Sequence, residues 1–329
     1  MSLGGPLIWF GVVQAVIYLL FIRAIDLYER EPLRYVIPVF VWGFAVATTV
    51  SLIFNTLFEL TLSSITSVRT ANFFTAVVEA PIVEECSKGL ALLIIFFIAY
   101  LARRRTGLIE FSGVMDGIVY GSAVGFGFAI AEDLLYGVQF GAETFIVRRI
   151  FGGFAHASFT SLTGIGIGLI PWVHSRILKV VLPVLGLCGA ILLHATFNFT
   201  ATVFGPVGYL FLLFVVLTYV LVIIVWLAIE RRAIRQELRE EVPAGTITPQ
   251  QYAMLPSYFR TTGHYLGLIF TGKLGTWFRA RKLNAAAVDL ALAKRLARRT
   301  GSPGSMDRVR TLRRKILDLR EGATVRAAS

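Results

Sequence analysis

TAVVEAPIVEECSKGLALLIIFFIAYL, residues 75–101, is the stretch on which the fold turns. The run is apolar and long enough to cross a bilayer, whose hydrocarbon core of about 30 Å takes about 20 helical residues. Its middle nevertheless carries Glu84, Glu85 and Lys88. An ionisable group at such depth costs about 2.5–3.5 kcal/mol on insertion scales, so these three need partners and mark a functional site. Glu84 and Lys88 are one helical turn apart and can neutralise each other, which leaves Glu85 to be matched from elsewhere in the chain.

The rest of the composition agrees with a membrane protein. The chain has 329 residues, 56% of them hydrophobic, and a mean hydropathy of +0.72, more than a water-soluble core requires. Its net charge of +12 is unevenly placed: residues 1–230 hold 12 Lys/Arg against 13 Asp/Glu, whereas residues 231–329 hold 20 against 7. The chain is therefore read as a transmembrane domain over 1–230 and a basic cytoplasmic tail over 231–329. A tail of this charge beside a bilayer is expected to contact anionic lipid heads. No basic stretch interleaved with aromatics suggests nucleic acid as a partner. The two cysteines, Cys86 and Cys188, both lie in apolar runs, which argues against a disulfide framework and a cysteine zinc site, and Cys86 is expected to be a small buried filler. The N-terminus has neither a basic start nor a cleavage site, so the first apolar run is expected to remain as a span.

Seven apolar segments follow from this reading, over 6–22, 35–61, 75–101, 112–139, 145–173, 178–203 and 206–229. The fold expected is all-α, a polytopic membrane bundle of about seven transmembrane helices with a helical basic tail. Arg23, Arg30 and Arg34, Arg103 to Arg105, Arg176 and Lys179, and Arg231 and Arg232 fall on one side, against Arg69, Arg148 and Arg149 on the other. By the positive-inside rule this makes a multi-pass cell-membrane protein with its N-terminus outside and its C-terminus cytoplasmic. Gly113, Gly117, Gly121, Gly125 and Ala129 recur every fourth residue, and Gly164 and Gly168 repeat the pattern more briefly, which is the mark of closely packed helices. In the tail, 284–299 reads as an amphipathic helix with Val288, Leu290, Leu292 and Leu296 among basic residues. A turn over 301–305 and a second basic helix from Met306 to Leu319 follow it.

Other spans contribute polar residues able to meet Glu84 and Glu85. These are Glu132 at the end of Phe128-x-x-x-Glu132, His156, and the pair His194 and Asn198, which share a helix face. Arg149 and His156, two turns apart, are expected to share one as well. Counted from the outer end of each span, Glu84, Glu132, His156 and His194 all lie about 10–17 Å deep at 1.5 Å per residue. Each alone has a bland explanation in packing, capping or helix bridging, as Asp116 and Asp133 do, but the four together point to one shared site.

Two chemistries are open to it. His156, His194 and Glu132 form a ligand set for Zn2+, with Glu84 or Glu85 activating the bound water. Without metal, a glutamate in apolar surroundings deprotonates water directly while Asn198 and a histidine hold the oxyanion. Either hydrolyses an amide in the membrane. A rival function is a proton- or cation-coupled transporter, since buried Glu, Lys and His also build proton relays. Such proteins often show inverted or parallel repeats, and no motif is duplicated here. A third possibility is a non-catalytic scaffold, in which Glu84 and Glu85 would tolerate replacement.

Glu84-Glu85-x-x-Lys88, Phe128-x-x-x-Glu132, His156 after Arg149, and His194-x-x-x-Asn198, in this order over about residues 5–230, resemble the PrsW family of polytopic intramembrane proteases. That family is distantly similar to the CAAX prenyl proteases and the bacteriocin-processing group. The resemblance implies a glutamate-dependent protease of the metalloprotease kind, with Glu84, Glu85 and the histidines in its active site. It also implies a membrane-anchored protein as substrate, for some members an anti-sigma factor cut first on its extracytoplasmic side. In the CAAX group the second motif ends in His, and Glu132 in that place makes prenylated substrates unexpected.

Overall fold

The computed structural model describes residues 4–28, 30–106, 110–301 and 303–325. Among them every element is helical: α1 (Gly4–Ile25), α2 (Leu33–Val41), α3 (Thr48–Ser63), α4 (Val68–Phe74), α5 (Ala80–Thr106), α6 (Val114–Phe140), α7 (Ala142–Gly152), α8 (Ala155–Gly168), α9 (Arg176–Phe204), α10 (Gly208–Leu238), α11 (Pro249–Met254), α12 (Tyr258–Phe270), α13 (Leu274–Thr300) and α14 (Pro303–Val325). Wider π-turns join two pairs end to end, Trp42–Ala47 between α2 and α3 and Thr75–Glu79 between α4 and α5. The chain divides into two compact units, one built mostly from residues up to Ile223 and the other from Ile224 onward with Leu27–Arg30 and Arg105–Leu108.

Among the described residues four stretches are long and apolar enough to cross a membrane: Leu7–Ile25, Leu33–Ser63, Val114–Phe140 and Arg176–Glu241, the last holding both α9 and α10. They contain five of the seven expected spans. The third, on α5, is not among these four. The fifth differs from expectation in a more basic way, because 145–173 is not one helix. Gly153 ends α7, Phe154 adopts φ −102° and ψ −1°, and a new helix of 14 residues starts at Ala155. The glycine pair 152–153 weakens the helix there. The break is then held from outside, for the Tyr18 hydroxyl donates to the Gly153 carbonyl at 2.8 Å and the Phe154 ring packs edge-on against Phe21 and Phe126. Arg149 and His156 consequently lie on different helices.

In the first unit α6 is the central element, its span wholly buried and packed by α1, α2 with the π-turn after it, α7 and α8. The glycine stripe explains how so many helices fit around it. A Cβ added at Gly117 would lie 2.4 Å from the Gly164 backbone, at Gly121 2.6 Å from Ser161 Cα, and at Gly125 2.5 Å from the His156 carbonyl carbon. The stripe therefore lies against the backbone of α8, as its spacing predicts. Phe159 of α8, Ala190 of α9 and Leu212 and Val215 of α10 close a second core on the other side of α8.

The second unit has its own core, from Ile234 and Leu238 of α10, Ala287 and Leu290 of α13, and Leu312 and Ile316 of α14. Glu241 is buried beside it and accepts hydrogen bonds from Lys294 at 2.7 Å and Arg313 at 2.6 Å. Two sequence expectations change here. The second basic helix begins at Pro303 rather than Met306, since proline suits a first helical position, and it runs on to Val325. An additional helix, α12, forms where none was foreseen.

The α6–α8 contact makes a clear prediction. Gly125→Ala should destabilise the protein by about 1–3 kcal/mol, the usual cost of overpacking. Gly263→Ala on α12, where no atom lies within 4 Å of the added Cβ, should be neutral or slightly stabilising. Thermal unfolding in detergent distinguishes the two.

Candidate active site

Lys88 of α5 is fully buried, so each hydrogen on its ammonium has to find an acceptor within the protein. Its Nζ lies 2.7 Å from Glu85 Oε1, 3.5 Å from Glu84 Oε2 and 3.1 Å from His156 Nδ1, and 4.0 Å from the centre of the Phe128 ring. An ammonium only donates, so His156 accepts at Nδ1 and carries its proton on Nε2. That Nε2–H donates to Glu132 Oε2 at 2.7 Å. Glu132 also pairs with Arg148 at 2.7 Å, and Arg148 Nε donates to Asp133 at 2.8 Å.

Glu85 is saturated. Besides Lys88, it accepts from Thr160 of α8 on Oε2 at 2.9 Å and from His194 Nδ1 of α9 at 3.1 Å. With its proton on Nδ1, His194 turns the Nε2 lone pair toward Glu84 Oε2, 3.9 Å away. Phe159 stacks on the His194 ring and fixes its plane. Each histidine thus has a carboxylate on one nitrogen and keeps the other for the centre, an arrangement typical of imidazoles that bind metal.

The six residues Glu84, Glu85, Lys88, Glu132, His156 and His194 are brought together as the sequence suggests, but the groups with metal-ligand spacing differ from those expected. The ligand atoms of Glu84, His156 and His194 lie within 4.8 Å of one another, all three residues being buried. Glu84 takes the place expected for Glu132, which is engaged by Arg148 and the outer nitrogen of His156. One carboxylate and two imidazoles fit zinc in donor type and in number, with a further position left for water. The one obstacle is the Lys88 ammonium at His156 Nδ1, which has to swing aside for that nitrogen to bind a metal.

Asn198, one of the groups offered for the oxyanion, makes a bridge between helices. In the π-turn before α5, Ala80 N–H bonds to Thr75 O, five residues back. The next donor in that register falls at Pro81, which has no N–H, so the Ala76 carbonyl loses its helical partner. The Asn198 amide donates to that carbonyl at 2.7 Å. Cys86 also departs from expectation, being exposed rather than buried, because one residue past Glu85 the helix has turned to its outer side. Asp116, near the other end of α6, accepts from the Ser112 N–H in the capping role foreseen for it.

Arg148, Thr160, Phe128 and Phe159 were not singled out as site residues. Thr160 stands four residues after His156, so the same helical spacing that joins Glu84 to Lys88 also points to it. Arg148 gives no such signal, since its position depends on the turn at Gly141, whose φ of +93° suits glycine, and on the break at Gly153.

Two histidines, each oriented by a carboxylate and facing a third carboxylate among apolar helices, define a membrane protein with a centre suited to holding a metal or activating water. Residues 31–228 match the model of the PrsW family intramembrane metalloprotease, and the chain belongs to that family. Among its relatives, a Protease PrsW of Geobacillus kaustophilus (strain HTA426) is 31% identical over 158 residues, 48% of this chain and 64% of that protein. The Protease PrsW of Shouchella clausii (strain KSM-K16) is 33% identical over 137 residues, 41% of this chain and 60% of that one. That of Bacillus subtilis (strain 168) is 27% identical over 206 residues, 63% of this chain and 87% of that one. The chain therefore spans less than two thirds of the first two relatives. No solved structure matches it. The matched region ends at residue 228, early in the C-terminal part of the basic unit.

Two substitutions test this account of the site. Lys88→Met leaves Glu85 buried without its cation and should destabilise the protein by about 3–5 kcal/mol. Asn198→Leu leaves the Ala76 carbonyl unpaired and should cost about 1–3 kcal/mol. Both are read from thermal unfolding in detergent.

Proposed function

We propose that the chain is an intramembrane endopeptidase whose hydrolytic centre is Glu84, His156 and His194, with zinc as the metal they hold. The observation that carries this reading is the buried cluster of three ligand groups within 4.8 Å, inside a chain of the PrsW family. Bound there, zinc would supply a water of lowered pKa and a polarised scissile carbonyl. Glu85 and Glu132 orient the two imidazoles by accepting their outer N–H groups. Thr160 and Lys88 hold Glu85, and Arg148 holds Glu132. Glu132, 20% exposed at its side chain against 7% for Glu84 and none for Glu85, acts from the outer nitrogen of His156 as a positioning residue.

The substrate in this proposal is a membrane-anchored protein, an anti-sigma factor being the kind that the family resemblance implies. Seven crossings with the N-terminus outside, α7 and α8 together making the fifth, agree with the distribution of arginines between the loops. The basic unit then lies on the cytoplasmic side.

Reconstituted protein tests the division of roles. Glu84→Gln and His194→Ala should lose both bound metal and cleavage of an added membrane-anchored substrate. Glu132→Gln should lower cleavage about 10- to 100-fold, the usual cost of losing the partner that orients a ligand histidine. Full metal content in both Glu84→Gln and His194→Ala, read by elemental analysis, would count against the ligand set. Undiminished cleavage by Glu132→Gln would count against its role in orienting His156.

A further inference from the structure

The second unit leaves one of its helices uncovered. Val288 and Leu290, on the amphipathic segment read from the sequence, are turned inward in the unit's own core and are not available to a partner. By contrast α12 has no buried residue. Phe259, Leu266 and Phe270 recur at helical spacing on one face of it, and the two phenylalanines are 86% and 85% exposed. Leu274 and Phe278, in the first turns of α13, are exposed as well.

The charge around this face is of one sign. From Val242 to Val288 the sequence has no Asp or Glu, while Arg260, Lys273, Arg279, Arg281 and Lys282 all fall within it. Arg281 lies over the Trp277 ring at 4.8 Å, which places a cation beside an indole of the kind that favours membrane interfaces. With 13 residues, α12 is too short to span a bilayer. The Tyr265 hydroxyl accepts from the Asn284 amide at 2.9 Å, linking α12 to the inner part of α13.

We propose that Tyr258–Phe270 and the following turns of α13, to Lys282, form a membrane-surface anchor. The aromatic and aliphatic side chains insert among lipid heads and the five basic residues meet anionic lipid. A short helix with large exposed apolar groups and basic flanks is the pattern of interfacial helices. A protein partner would more readily carry acidic groups to match the charge, and a second copy of this chain brings the same positive sign and would be repelled. The anchor depends on the chain's being a membrane protein but not on the peptidase reading above.

The test uses full-length protein reconstituted in vesicles of phosphatidylglycerol with phosphatidylcholine, or of phosphatidylcholine alone. Phe259 or Phe270 is replaced by photoreactive benzoylphenylalanine, with Arg310 on α14, which is exposed and polar, as the control position. After illumination, mass spectrometry should find phospholipid adducts at both phenylalanine positions, about tenfold above the control in anionic vesicles and several-fold fewer in neutral ones, as expected when each basic residue near the surface adds about 1 kcal/mol. Arg279→Glu with Arg281→Glu and Lys282→Glu should reduce the anionic yield to the neutral level. Raising salt to about 1 M should do the same without any substitution, since it shortens the screening length to about 3 Å. Adducts to a second copy or to another protein, or phospholipid yields no higher than at Arg310, would overturn the proposal, as would equal yields in the two lipids. A Glu84→Gln background should give the same adducts, which separates this result from the fate of the hydrolytic centre.

Discussion

Lys88 is enclosed on all sides, and an ammonium among apolar helices must have acceptors or leave. Meeting that requirement sets much of the surrounding chemistry. Glu85 stays a carboxylate because Lys88 is beside it, and only a carboxylate or other acceptor can receive the Nδ1–H of His194. His156 has to accept on Nδ1, so its proton is sent to Glu132. One cation on α5 therefore decides which nitrogen is protonated on two histidines that come from two other helices. The arrangement also explains why Glu84 is held loosely, since the stronger contacts of Lys88 are made elsewhere.

Backbone geometry brings these groups into range. Glycines on α6 let α8 approach until main chains touch, and that contact falls at the level of His156. On the other side, Pro81 and the wide turn before it offset the entry of α5, and Asn198 secures the carbonyl that the proline leaves behind. Both features act on main chain rather than on side chains of the centre. The family match covers this machinery and ends at residue 228, before the core and buried Glu241 of the basic unit.

Much of the centre could be read from sequence because a charged group in an apolar run is conspicuous and helical spacing is regular. Glu84, Glu85, Lys88, Glu132, His156 and His194 each stood out in this way. The glycine stripe was legible for the same reason, as a strict period of four. What was hidden depended on irregular backbone. A glycine pair inside an apolar run does not announce whether the helix bends or stops, so 145–173 read as one span, and Arg148 could not be placed. The exchange between Glu84 and Glu132 as metal-spaced groups is a matter of rotamers and of Arg148, neither of which a pattern of residues contains. In the second unit, α12 was obscured by Gly263 and Gly267, which interrupt its apolar face and lower its helix propensity.

The short length of α8 has a further consequence. Fourteen residues rise about 21 Å, well below the thickness of a bilayer core. Its first turn, which bears His156, is buried within the bundle and has amide hydrogens that no cap side chain receives. Hydrocarbon cannot solvate such groups. Such donors have to be met by protein or by water, so the helix start that bears His156 is a polar spot among apolar helices.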